Sequence, residues 1–176
     1  GKEGDFSNSL IIFTSNIGSE WIVEQFSKDI MPKSSQLMEI MTKYATPGDH
    51  HKHLEQMIGS WNTKGSFWMA PGAPPMESTG KARHRPILGG RFIHLTYEGN
   101  FAGQPFTGAG TVGYDKFKNK YVETWMDNMG TMTLVATGEC DGRGTTRIVR
   151  GDVDDLLAGK PSWFRSVYRF DGPDRY

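Results

Sequence analysis

PGDHHKHLEQMIGSW, residues 47–61, joins a short helix directly to a strand. Leu54, Met57 and Ile58 recur at helical spacing, and Asp49 sits where an N-cap would. Gly59 halts the helix, and Trp61 begins an alternating run, Trp61-Asn62-Thr63-Lys64-Gly65-Ser66-Phe67-Trp68. A helix laid beside a Gly-x-Trp strand opening is a common start for a small barrel. On this reading Trp61 is largely buried and plugs one barrel end, with Gly59 letting the chain approach it closely.

Downstream of Trp61 the sequence predicts strands over residues 61–69, 78–86, 91–99, 105–114, 120–127, 131–138, 145–152 and 162–170. Turn residues separate them, among them Pro71-Gly72, Gly89-Gly90, Gly99-Asn100, Lys118-Asn119 and Asp141-Gly142. Many short strands with hairpin turns and little helix imply a mainly β fold. The architecture expected is an antiparallel barrel, with one or two short N-terminal helices. Gly108, Gly110 and Gly113 fall inside a strand, where glycines bend a sheet around a small barrel.

Composition sets the outer limits. With 176 residues the chain suits one domain with a proper core. Its 20 basic residues balance its 20 acidic ones, so no nucleic-acid partner is expected. No apolar run approaches the roughly 20 residues of a membrane helix, so no membrane partner is expected either. Cys140 is the single cysteine, which excludes an internal disulfide framework and suits a reducing, cytoplasmic compartment.

Residues 1–32 read differently. An apolar strand, Ser9-Leu10-Ile11-Ile12-Phe13, leads into Thr14-Ser15-Asn16-Ile17-Gly18-Ser19 and then a helical pattern, which is an α/β element. The string GDFSNSLIIFTSNIGSE resembles the sensor-1 segment of Clp-type AAA+ unfoldases, where the residue matching Asn16 lies near the nucleotide's terminal phosphate. No ATPase follows from it. Gly1-Lys2, Gly80-Lys81 and Gly159-Lys160 are the only Gly-Lys pairs, and none continues into Ser or Thr as a phosphate loop requires. Two segments are therefore expected: residues 1–32 as an AAA+-like fragment carried over by gene fusion, or as an N-terminal extension, and residues 36–176 as the barrel domain. The fragment is expected to make few contacts with the barrel.

From about Gln36 onward several motifs occur in one order: PGDHHKHLEQMIGSW, FWMAPGAPPMESTG, ILGGRFI, GQPFTGAGTVGYD, ETWMDNMGT and KPSWFRSVYRF. Together they resemble the family catalogued as domain of unknown function 1579. The resemblance implies a lipocalin-like (calycin-type) barrel and no established activity. It places His51, Trp61, Trp68, Gly90, Arg91, Gly113, Tyr114, Asp115, Trp125 and Asp127 on the family's characteristic positions. Compared with that pattern the sequence stops after the strand near Tyr168, so an incompletely closed barrel is expected. Self-association through its open edge, or a gap filled by residues 10–13, would follow.

Several constellations carry candidate chemistry. Gly108-Ala109-Gly110-Thr111-Val112-Gly113 spells G-x-G-x-x-G, but no helix follows it, so it reads as strand glycines and not as a nucleotide loop. His50 and His53 share a helix face without a further ligand nearby, which reads as exposed histidines and not as a metal site. Haem is not expected, His94 being the only histidine placed for a strand-lined pocket. In residues 121–127, Tyr121, Glu123, Trp125 and Asp127 share one face, which lines either a polar cavity or solvent. An inward Arg91, Arg165 or Arg169 would need an acid partner or an anionic ligand head. Trp68-Met69 and residues 73–76 form a loop able to rim an apolar opening.

The favoured reading is a small-molecule binding barrel without cofactor. Its ligand is an apolar or anionic molecule held by His51, Trp68, Arg91, Tyr114, Trp125 and Asp127. The rival is an enzyme in which His51 acts as general base or acid, oriented by Asp127 or Glu123. Catalysis requires His51 within hydrogen-bond reach of a carboxylate. Binding does not.

Overall fold

The computed structural model describes residues 33–68, 72–155, 159–172 and 174–175. The chain divides into two compact units, Gly1–Thr46 and Pro47–Tyr176. Helix α1 (Ser34–Ala45) belongs to the first, buries none of its residues, and begins where the Lys33 amide donates to Gln36 Oε1 at 2.9 Å. The expectations placed on residues 1–32, including a strand at 10–13, lie outside the described residues.

The second unit is mainly β. Helix α2 (Asp49–Glu55) is followed by β1 (Gly59–Phe67), β2 (Met76–Ile87), β3 (Phe92–Phe101), β4 (Gln104–Asp115), β5 (Lys120–Asp127), β6 (Leu134–Cys140), β7 (Thr146–Asp155) and β8 (Lys160–Arg169). Each strand pairs antiparallel with the next in an uninterrupted meander. Every expected strand is present with boundaries moved by a few residues. No ladder among the described residues joins β1 to β8, so the sheet is curled but open.

Period-two alternation sets the concave face. Ala82, Ile93, Val112, Tyr121, Ala136 and Val149, one from each of β2 to β7, are all buried there. Curvature is evident from the reach of β8. Three strand spacings of about 4.8 Å separate β5 from β8 in a flat sheet, yet the Tyr168 hydroxyl donates to Glu123 Oε2 at 3.0 Å.

One end of the half-barrel is closed by α2 and the turn after it. Leu54 and Met57, at 1% and 2% exposure, pack against Ile93, Val112 and Tyr121. Ile58, the third apolar residue of the helical pattern, is 39% exposed, because the turn after Glu55 carries it off that face. Met57 is the tie point. Its carbonyl accepts the Trp61 indole N–H at 2.8 Å and lies 3.0 Å from His84 Nδ1, which makes Nδ1 the protonated nitrogen of that ring. Trp61 is therefore half-buried and not the plug itself; Leu54 and Met57 fill that role, and the indole braces them from the side. Gly59 has φ +148, a conformation that other residues rarely adopt.

Candidate functional site

Strand β5 carries the most distinctive chemistry. Tyr121, Glu123, Trp125 and Asp127 face the concave side, as the alternation implies, with Tyr121 and Glu123 buried. Between β3, β5, β6 and β8 lies a cleft of about 250 Å³, its walls formed chiefly by Leu95, Trp125, Leu134, Ala136, Phe164 and Tyr168. The Trp125 ring has room because β4 offers Gly108 and Gly110 beneath it. A Cβ at Gly108 would collide with the indole, and one at Gly110 with the backbone oxygen of Thr124. Two glycines of the G-x-G-x-x-G string thus seat an aromatic ring.

Glu123 lines the cleft at 9% exposure and forms an ion pair with Arg147 Nη2 at 2.7 Å. Arg147, on β7, is 2% exposed. Its guanidinium sits 4.4 Å from the Tyr168 ring centroid and 5.8 Å from that of Tyr121, and its Nη1 points at Met57 Sδ at 3.2 Å. Two aromatic faces and a carboxylate thus offset its lost hydration. Burial, followed by the charge of Glu123, pushes the Tyr168 phenol well above its ordinary value, so it stays protonated and donates.

A second cluster lies under α2. The Tyr121 hydroxyl is 3.1 Å from His50 Nδ1 and 3.2 Å from His53 Nδ1. One phenol proton cannot serve two acceptors, so at least one histidine presents Nδ1–H. His50 also stacks on Tyr114 with ring centroids 4.0 Å apart. His51 is 8% exposed, and its Nδ1 accepts the Gly48 amide at 3.0 Å in the manner of a capping box. Burial, then the nearby charges of Lys116, His50 and Arg91, hold His51 below the ordinary histidine value. A shallow depression of about 230 Å³ beside it is lined by Gly48, Asp49, His50, His51, Tyr114, Lys116 and Asn119.

The residues singled out from sequence thus divide between places. Trp125 and Glu123 meet in the cleft. Asp127 lies next to them, accepting the Trp125 indole N–H at 3.0 Å and the Met129 amide at 3.0 Å. His51 and Tyr114 sit at the α2 end, by Tyr121, from which Asp127 lies six residues along β5, roughly 20 Å at about 3.3 Å per residue. Trp68 is 57% exposed, and Arg91 is exposed with Nη1 on the Leu88 carbonyl at 3.0 Å; neither lines the cleft. Arg165 and Arg169 are exposed as well, sharing the outer face of β8 with Trp163 and Val167. The buried guanidinium is Arg147 instead. His94 alternates with Ile93 and Leu95 and faces away from the cleft. Cys140 is half-buried, and its thiol is raised chiefly by burial, which leaves it a poor nucleophile. Among the described residues no three His, Cys, Asp or Glu side chains converge on a metal position.

Sequence reasoning missed Arg147, Tyr168, Met57 and His84 as parts of the site. The run Thr146-Arg147-Ile148-Val149-Arg150 places one arginine and one aliphatic residue on each face. Alternation therefore could not say which arginine turns inward. Alternation along β8 puts Tyr168 opposite Arg165 and Arg169, as observed, but cannot pair it with Glu123, three strands away.

An open eight-stranded meander, plugged by a helix and holding a buried ion pair beside an apolar cleft, defines a small half-barrel protein. The chain belongs to the family described as protein of unknown function (DUF1579), whose match covers residues 46–176. No protein with a curated description matches it. Neither comparison supports the likeness of residues 1–32 to the Clp-type segment. No helix among the described residues is long and apolar enough to cross a membrane.

Proposed function

We propose that this protein binds a small, largely apolar molecule on the concave face of a lipocalin-like half-barrel. The observation that carries the reading is the cleft of about 250 Å³, with apolar walls and Glu123 on its lining, charge-paired by the buried Arg147 behind it. Binding sites have this composition: mostly hydrophobic lining with a few fixed polar groups that set orientation. Its volume lies just under the roughly 300–1,000 Å³ typical of drug-sized ligands, which suits a compact molecule. Trp125, Glu123 and, through the Trp125 indole, Asp127 form part of this site. His51 and Tyr114 serve the helix plug.

The rival reading, His51 as a general base oriented by Asp127 or Glu123, gains nothing from the geometry. The bonded partner of His51 Nδ1 is the Gly48 amide. Localisation in a reducing compartment such as the cytoplasm fits the free Cys140 thiol.

The test is to fill the cleft. Ala136, 4% exposed and on the cleft wall, is replaced by phenylalanine, and binding of a neutral apolar fluorescent probe such as N-phenyl-1-naphthylamine is followed by titration. Loss of stoichiometric probe binding by a folded Ala136→Phe variant supports the cleft. Unchanged binding places the probe elsewhere and contradicts the reading.

A further inference from the structure

The polar inventory of the cleft specifies the head group of its ligand, on the footing that the cleft is the binding site. The charged side chain on its lining is Glu123, and the one cation touching that carboxylate, Arg147, is 2% exposed behind it and does not line the cleft. An anionic head would therefore meet a carboxylate with no reachable counter-charge. An ammonium head would meet a carboxylate whose charge Arg147 already balances at 2.7 Å.

Hydrogen-bond capacity is equally one-sided. The Trp125 indole N–H is spent on Asp127 Oδ2 at 3.0 Å. The Thr124 hydroxyl is shared with Thr111, at 2.9 Å from its Oγ1 and 3.1 Å from its amide. The Tyr168 phenol donates to Glu123 Oε2 at 3.0 Å. The donors of Trp125, Thr124 and Tyr168 are thus committed to protein partners. The charged group of the lining has acceptor capacity left: a carboxylate oxygen has two lone pairs, and Oε2 has used one on Tyr168.

The geometry points to a ligand with an apolar body and a neutral hydrogen-bond donor, an alcohol or phenol, whose hydroxyl donates to Glu123 while its body lies among Leu95, Trp125, Leu134, Ala136 and Phe164. The buried pair of Glu123 and Arg147 then acts as an acceptor whose charge is balanced in advance. It reads a donor without drawing in an ion.

Isomeric probes separate this inference from the binding reading beneath it. Hexan-1-ol and 1-methoxypentane have the same atoms, but only the alcohol donates; hexanoate supplies the anion and hexylammonium the cation. Binding to the full chain is measured by ligand-observed NMR, with Ala136→Phe as the filled-cleft control. The expected result is that hexan-1-ol binds about tenfold or more tightly than its ether isomer, as a hydrogen bond to a charged group implies, and more tightly than either ion. In the double variant Glu123→Leu/Arg147→Met the two isomers should bind alike. If ether and alcohol bind the wild type equally, or either ion binds best, while Ala136→Phe abolishes all binding, the cleft stands and the donor inference falls. If no probe binds, or Ala136→Phe changes nothing, the cleft reading falls and takes the inference with it. The wild-type comparison decides even if the double variant fails to fold.

Discussion

Arg147 and Glu123 form a pair that neither residue could sustain alone. A guanidinium at 2% exposure depends on the carboxylate 2.7 Å away and on the faces of Tyr168 and Tyr121. Removing one partner leaves the other buried and uncompensated, which costs about 3–5 kcal/mol. We therefore predict that Arg147→Ala and Glu123→Ala each lower the urea unfolding free energy by about that amount. The double variant Glu123→Leu/Arg147→Met should be neutral to stabilising, since apolar groups of similar volume replace both charges. A double variant as unstable as the sum of its singles would show that the pair is not coupled. Histidines give the pH dependence. Burial holds His84 and His51 below the ordinary value of 6.5. The unfolded chain therefore takes up these protons first as acid is added. Their contribution is complete above about pH 6.5 and declines as pH falls from there toward their depressed folded values. His84→Gln retains a donor for the Met57 carbonyl but does not titrate, so its stability between pH 7 and 5, followed by chemical denaturation, should fall less steeply than that of the wild type.

At the scale of the element, β5 was legible because period-two alternation is a property of the strand alone. Tyr121, Glu123, Trp125 and Asp127 had to share a face whatever surrounded them, and burial settles that this face is concave. What lay out of reach was anything needing curvature. The bond from Tyr168 to Glu123 spans three strands, and the inward turn of Arg147 rather than Arg150 depends on the register of β7 with β6 and β8. In the sequence the glycines of β4 mark bending points of the sheet. Gly108 and Gly110 also make room for the Trp125 indole. Gly108→Ala puts a Cβ against the indole and should force that ring into the cleft, costing about 1–3 kcal/mol as overpacking does and weakening probe binding together. Helix α2 is too short to hold itself. Its polar fastening to the sheet includes the Tyr121 hydroxyl shared by His50 and His53. Tyr121→Phe strips both histidines of that partner, a loss of about 1–3 kcal/mol. Amide exchange in α2 should accelerate well beyond that in β3 and β4; equal acceleration everywhere would mean the hydroxyl has no local role.

For the whole molecule, the order and direction of eight strands followed from turn residues and alternation, since a meander joined by short turns leaves few other topologies. The open curl makes the concave cleft accessible and leaves β1 and β8 each with one paired neighbour among the described residues. Such edges favour pairing with another chain. Trp163 on β8, 67% exposed, adds apolar surface there. Sedimentation velocity should therefore show concentration-dependent self-association, reduced by Trp163→Lys; a monomer at all concentrations would argue against it. The cleft itself is tested most directly by methyl-resolved NMR of the protein with hexan-1-ol. The account predicts intermolecular NOEs from the alcohol chain to the methyl groups of Leu95, Leu134 and Ala136. NOEs confined to Val135 and Val167, which are exposed on the outer face, would contradict it.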